Sequence, residues 1–144
     1  MKILAVDPGE KHLGIAISDP TAAFARPLTV LQHISRLIDA ASIASLAREH
    51  EVGMIVIGKP ISEDGLPTQQ TRHADSLAKE ILQQLDIPVI FWDESLTTQD
   101  ARRASIIMGT SRKKRRGHLD EIAATVLLQS FLDANLGKSY VIEP

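Results

Sequence analysis

An α/β domain, a mixed sheet covered by helices on both faces, is the architecture that this chain of 144 residues predicts. Three observations carry that reading. Strand-like apolar runs joined by short turns fill the first quarter of the chain. Helical and strand-like segments alternate from about residue 34 onward. Apolar residues make up 44% and charged residues 24%, the ordinary globular balance, in a length that suits one domain with a real core rather than two. The domain is expected over residues 1–138, with 139–144 as a short tail.

The strands come first. Lys2 to Asp7 is an apolar run closed by the turn pair Pro8-Gly9, which reads as a buried strand with Asp7 at its carboxyl end. From Leu13 to Ser18 the residues alternate: Leu13, Ile15 and Ile17 on one side, Gly14, Ala16 and Ser18 on the other. Period two after so short a connection makes this the antiparallel hairpin partner of the first strand. After Asp19-Pro20, an extended stretch from about Arg26 to Leu31 completes a meander.

Helices follow. Ile34, Leu37, Ile38 and Ala41 keep helical spacing that continues through Ala44 and Ala47 and stops before Gly53. Met54 to Ile57 is a buried strand closed by Gly58, and Pro60 to Pro67 is a loop. Ala74, Leu77, Ala78, Ile81, Leu82 and Leu85 form a second amphipathic helix, and Pro88 prevents any continuation. Val89 to Trp92 is the last strand, with Asp93-Glu94 at its carboxyl end. Thr97 and Asp100 are spaced as a capping box for a third helix that stops near Gly109. Leu119 to Leu132 is the final helix.

Composition excludes several function classes. With no cysteine there is no disulfide framework, thiolate metal site or thiol nucleophile. The run Ile3 to Val6 is too short for a signal peptide, and no segment approaches the roughly 20 apolar residues of a membrane span. A cytoplasmic protein that does not engage membranes is expected.

The formal net charge of −2 hides a lopsided distribution. Arg102, Arg103, Arg112, Lys113, Lys114, Arg115 and Arg116 fall in one segment without an acid, which leaves 9 basic residues against 18 acidic ones elsewhere. Clustered cations on an acidic body are a footprint for a polyanion, because they displace counterions condensed on phosphates. The bland alternative is a solvated loop.

Three acids far apart in sequence, Asp7, Glu94 and Asp120, each stand where an element begins or ends. At about 100° per residue, Asp120 lies roughly 75° from the centre of the apolar stripe of the final helix, whereas Glu121 points away. Each acid also has a simpler reading. Asp7 opens an Asp-Pro-Gly turn, Glu94 precedes a helix cap, and Asp120 is a helix N-terminal acid favoured by the macrodipole. If the strands ending at Asp7 and Glu94 are parallel neighbours, their chains lie about 4.8 Å apart and both carboxylates reach one site. Mg2+ prefers a few such oxygens together with waters and substrate phosphate. A pair of these ions could activate a water and stabilise the leaving oxygen in phosphodiester hydrolysis.

Four ordered segments, Asp7-Pro-Gly-Glu-Lys-His-Leu-Gly-Ile-Ala-Ile-Ser-Asp19, Ile57-Gly-Lys-Pro-Ile-Ser-Glu-Asp-Gly65, Asp93-Glu-Ser-Leu-Thr-Thr98 and Leu119-Asp-Glu-Ile-Ala-Ala124, resemble the YqgF-type (RuvX) family. These are RNase H-like bacterial proteins described as candidate Holliday-junction resolvases and as pre-16S rRNA nucleases. The resemblance covers nearly the whole chain. It implies the RNase H-like fold, a five-stranded sheet of order 3-2-1-4-5, and is taken to set the strands of Asp7 and Glu94 side by side. It further implies a Mg2+- or Mn2+-dependent nuclease with Asp7, Glu94 and Asp120 as catalytic, metal-binding acids. The substrate would be structured RNA, foremost pre-16S rRNA in 5′-end maturation, or alternatively branched DNA. A monomer or a homodimer would fit, since four-way junctions are usually cut by symmetric dimers and RNA ends need one active site.

Lys11, His12 and the basic segment are the expected nucleic-acid contacts. His12 departs from the family pattern, where arginine is common, and replaces a permanent charge with one that depends on pH. Lys59 departs where an apolar residue is usual. His118 precedes Asp120 by two residues and reads mainly as a helix-start residue. His33, His50 and His73 are scattered without metal-ligand spacing. Asp19 and Asp93 either support the acidic cluster or form turns. Ser18, Ser95, Thr97 and Thr98 lack a base partner, which argues against a covalent nucleophile.

Two other classes remain. A non-catalytic nucleic-acid or ribosome-associated binder would have to act mainly through charge, because the aromatics are few and Phe91, Trp92 and Phe131 are expected inside. The Asp7 to Gly14 hairpin is also similar to the phosphate loop of the actin and sugar-kinase group, but those proteins close two such domains around a nucleotide, and this chain is too short for both.

Overall fold

The computed structural model describes residues 1–60, 66–93 and 112–135, with 112–121 as helical backbone. The elements are β1 (Lys2–Pro8), β2 (His12–Ser18), β3 (Ala25–Gln32), α1 (Arg36–Glu49), β4 (Val52–Lys59), α2 (Gln69–Leu82), β5 (Val89–Asp93) and α3 (Arg112–Ala134). The strands form one sheet in the order β3-β2-β1-β4-β5. The meander pairs are antiparallel, while β1 with β4 and β4 with β5 are parallel. The expected helix over 97–109 and residues 61–65 of the expected loop lie outside the described residues. No helix among the described residues is long and apolar enough to cross a membrane.

The alternation along the strands sorts the core into two layers. Leu4, Val6, Leu13, Ile15, Ile17, Ile55 and Ile57 pack against α1 and α2. Ile3, Ala5, Ala16, Met54 and Val56 pack against Ala124, Leu127, Leu128, Phe131 and Leu132 of α3. Each large side chain removed from water in this way contributes about 1.5–3 kcal/mol.

Four expectations need correction. The first concerns the acidic strands. The order 3-2-1-4-5 holds, but β1 and β5 are not neighbours, because β4 lies between them. Two spacings of about 4.8 Å separate those strands by about 10 Å. The second concerns α1, which begins at Arg36 and buries Ala40, Ile43, Ala44 and Ala47; the expected stripe holds at Ala44 and Ala47, whereas Ile34 before the helix and Leu37 and Ile38 within it are exposed at 65%, 63% and 47%. Both stripes have helical spacing, and burial selected the later one. The third concerns the final helix, which begins at Arg112 rather than Leu119, so that Arg112, Lys113, Lys114, Arg115 and Arg116 are helical. Lysine and arginine are good helix formers, and the single Gly117 costs only about 1 kcal/mol. The fourth concerns Phe91, which is 39% exposed. Phe131 is buried, as expected, and Trp92 is partly buried with its ring edge-on to Phe131 at 5.3 Å.

Caps and clamps fix the ends. Ser35 caps α1, and Thr68 with Thr71 forms a capping box that opens α2 five residues earlier than its apolar stripe suggests. Gln129 of α3 accepts a bond from Ala25 N at 2.8 Å and donates to Ala23 O at 3.0 Å, tying the helix to the start of β3. β3 itself contains Pro27, and its register with β2 shifts between Ile15 and Ala16, where Leu28 bulges out.

Candidate active site

Asp7 is the next-to-last residue of β1, partly buried and paired with Gly14 of β2. On the other side, Val6 pairs with Ile57, so Gly58 is the next residue of β4 alongside Asp7, and Gly58 in turn pairs with Trp92 of β5. Asp7 continues the alternation of Ile3 and Ala5 and thus lies on the face that α3 covers. Its flanking positions on both neighbouring strands are glycines. That row leaves room beside the carboxylate where any other residue would place a side chain.

The turn after Asp7 is held tight. Gly9 N donates to His12 O at 2.9 Å, and a Cβ at Gly9 would lie 2.5 Å from that same oxygen. Only glycine fits without moving backbone. Lys11 and His12 are exposed at the hairpin tip, and His33 N donates to Lys11 O at 2.8 Å.

The other candidate residues divide clearly. Asp120 is the ninth residue of α3. The reading of it as a first-turn acid held by the macrodipole therefore fails, since that effect fades beyond the first turn. His118 likewise falls within α3 rather than at its start. Glu94, Arg102 and Arg103 lie outside the described residues. Among the described residues, no group of three His, Cys, Asp or Glu side chains is close enough to hold a metal.

Asp19 is a turn residue. Its carboxylate accepts bonds from the backbone N–H groups of Thr21, Ala23 and Phe24 and from the Thr21 hydroxyl. Those bonds, the Thr21 hydroxyl foremost, hold it far below the usual carboxylate range. It follows β2, at the end of the sheet opposite Asp7. Lys59 is committed within the fold, bonded to Asp75 at 2.9 Å and placed 4.5 Å over the Phe91 ring.

Sequence reasoning missed one constellation. His33 and His73, 40 residues apart, meet edge-on with ring centroids 5.7 Å apart, and Asp39, only 1% exposed, bonds the His33 ring through Nδ1. No spacing rule finds such a pair. The one local signal was a carboxylate in the first turn of α1.

Comparison with known proteins agrees with this fold. A relative from Syntrophus aciditrophicus is 42% identical over 134 residues, covering 93% of this chain and 89% of its own, and one from Syntrophomonas wolfei is 37% identical over 141 residues, covering 97% and 100%. Both are named as candidate pre-16S rRNA nucleases. The fold matches Thermus thermophilus RuvC in complex with a Holliday junction substrate, at a TM-score of 0.58 and 16% identity over 95% of this chain and 96% of that one. It also matches the fowlpox virus resolvase with Holliday junction DNA, at 0.58 and 18% over 94% and 99%. At such identities the likeness shows a shared RNase H-like fold. The family described as RuvX, Holliday junction resolvase, matches residues 1–134, and the chain belongs to that family.

Proposed function

We propose that the chain is a cytoplasmic, metal-dependent nuclease that hydrolyses phosphodiester bonds in the 5′-end maturation of pre-16S rRNA, with Asp7, Glu94 and Asp120 as its catalytic carboxylates. The observation that carries this reading is the position of Asp7, between two glycines at the carboxyl end of β1 on the α3 face. The names of the relatives supply the reaction and the RNA.

The run of α3 supports a role for Asp120. Gln129 is fixed at the end of the sheet where β1 begins, and Ser130 accepts a bond from Trp92 Nε1 at 3.2 Å. The buried Ala124 and Leu127 hold the preceding turn on the sheet; if the helix continues in that line, it approaches the Asp7 end. Position 120 lies nine residues earlier, about 13.5 Å along the axis. From Ile3 to Asp7, β1 advances about 13 Å. The two lengths match. Position 120 also precedes Ala124 and Leu127 by four and seven residues, the spacing of one helix stripe.

Glu94 follows Trp92 by two residues. β1 and β5 lie about 10 Å apart, so an ion shared with Asp7 asks for a longer acid at position 94, which glutamate supplies. Three hard oxygen donors fit Mg2+ or Mn2+. When bound, one or two such ions supply activation of water and neutralisation of charge on the leaving oxygen.

The chain's own contribution is to hold and orient. Lys11 and His12 at the hairpin tip, together with Arg102, Arg103 and Arg112 to Arg116, would grip the phosphates. The last five open α3 against its own macrodipole, a local cost of some tenths of a kcal/mol per cation that a bound polyanion offsets.

The test is a cleavage assay, side by side on a 5′-extended 16S rRNA precursor and a four-way DNA junction at one fixed salt, with wild type, Asp7→Asn and Asp120→Asn. Metal-dependent cleavage of the precursor, lost in both variants, is expected. Cleavage that survives Asp120→Asn would remove α3 from the chemistry. The second reading, a resolvase on branched DNA, is favoured by the description of the family as Holliday junction resolvase, and preferential cutting of the junction would establish it.

A further inference from the structure

The α1/α2 side of the sheet holds a pocket of about 290 Å3 beside the same turn that follows Asp7. Pro8, Gly9 and Glu10 contribute from the turn, His33 from the segment before α1, and His73 from α2. Gln69 and Gln70, both exposed, complete the lining.

The walls are unusually well defined. Asp39 accepts the Ile34 N–H at 3.0 Å and bonds His33 Nδ1, which fixes that ring. His73 stands edge-on to His33, and its Nε2 is sealed from solvent without a hydrogen-bond partner among the described residues. Burial, aided by the neighbouring His33 and Arg36 and opposed by Asp39, lowers the pKa of His73 below the ordinary imidazole value. At neutral pH it is an uncharged flat ring. Gly9, which admits no Cβ, keeps its part of the wall at backbone level.

Flat uncharged surfaces from Pro8 and His73 suit the face of an aromatic heterocycle. The carboxamides of Gln69 and Gln70 and the carboxylate of Glu10 suit the donor and acceptor edge of such a ring. A phosphate is disfavoured, because Glu10 would repel it. The volume is at the small end of ligand pockets, which matches one nucleoside.

We propose that this pocket is a nucleobase subsite, seating one unpaired base of the substrate strand at the turn after Asp7, on the sheet face opposite that carboxylate. It rests on the nuclease reading for the source of that base. Because Glu10 can only accept, it pairs with a donor on the base edge, an exocyclic amine of adenine, cytosine or guanine or a ring N–H of guanine or uracil.

The test is an NMR titration of the histidine ring signals with AMP, CMP, GMP, UMP and ribose 5-phosphate, without divalent metal, in wild type, Asp7→Asn and the surface double variant Gln69→Ala/Gln70→Ala. Saturable shifts of His33 and His73 are expected with at least one of the four nucleotides, with the double variant weaker by about tenfold. Equal shifts with ribose 5-phosphate would make it a phosphate site and overturn the proposal. So would the absence of any shift up to about 10 mM nucleotide, a concentration that reveals even very weak binding, or unchanged affinity in the double variant. Base binding retained in a protein that cleaves nothing would remove the nuclease reading alone, whereas cleavage without base binding would remove the subsite alone.

Discussion

The two faces of the sheet are filled in opposite ways. Toward α1 and α2 the strands supply most of the bulk through Leu4, Val6, Ile15, Ile17, Ile55 and Ile57, and the helices approach closely on Ala40, Ala47, Ala74 and Ala78. Toward α3 the sheet is low near Asp7, with Ala5, Ala16, Gly14 and Gly58, and the helix brings Leu127, Leu128 and Phe131. The larger Ile3 and Met54 stand toward the start of β1 and β4, while Trp92 of β5 packs on this face beside Gly58. One face is therefore filled mainly from the sheet, with Ile43, Leu77 and Ile81 of the helices completing it. The other leaves space at the strand ends that a polar group can occupy, which is what a carboxylate site requires.

That contrast can be broken experimentally. The largest expected effect is on chemistry: Asp7→Asn should lower cleavage at least about 1,000-fold, since members of a catalytic constellation act as a unit, while the thermal midpoint stays close to wild type. Activity within tenfold of wild type would return Asp7 to a mere turn residue. Next come the cores. Leu127→Ala on one face and Ile15→Ala on the other should each cost about 2–5 kcal/mol in urea denaturation. A loss under about 1 kcal/mol at Leu127 would mean that α3 is not held as tightly as α1 and α2.

The turn joining both faces is the third target. Gly9→Ala must displace the His12 carbonyl, and a cost of about 1–3 kcal/mol is expected, with cleavage reduced as well. Full stability in that variant would show that the turn can relax. The smallest effect concerns pH. The folded pKa of His73 is depressed below its ordinary 6.5, so the unfolded chain binds the proton more readily. The stability tied to the neutral ring is present above pH 6.5 and declines as pH falls below it. The urea midpoint should therefore drop between pH 7.5 and pH 5.5 by more in wild type than in His73→Phe. Equal drops would place the pH dependence elsewhere.

Much of this was legible in the residues. Period two in Leu13 to Ser18 assigned each side chain of β2 to its face, and Pro8-Gly9 located the turn, because both signals are local. Two α1 stripes of equal helical spacing could not be ranked without the sheet that buries one of them. The start of α3 was hidden because a run of cations reads as a solvated loop as readily as a helix. Most instructive is the relation of Asp7 to Glu94: the strand order was anticipated correctly, yet its consequence, that β4 intervenes, came out only once the pairings Val6 to Ile57 and Gly58 to Trp92 were laid across the sheet. The meeting of His33 and His73 depends on tertiary topology alone.

The side chain of Gln129 does for β3 what a further strand would do, offering an acceptor to Ala25 N–H and a donor to Ala23 carbonyl. With Pro27 lacking a donor and Leu28 bulged, the outer rim of the sheet offers little to an incoming chain. Two copies of this protein meeting on a symmetric substrate would thus find little help in extending the sheet past β3, which leaves side-chain contacts or the other edge, at β5.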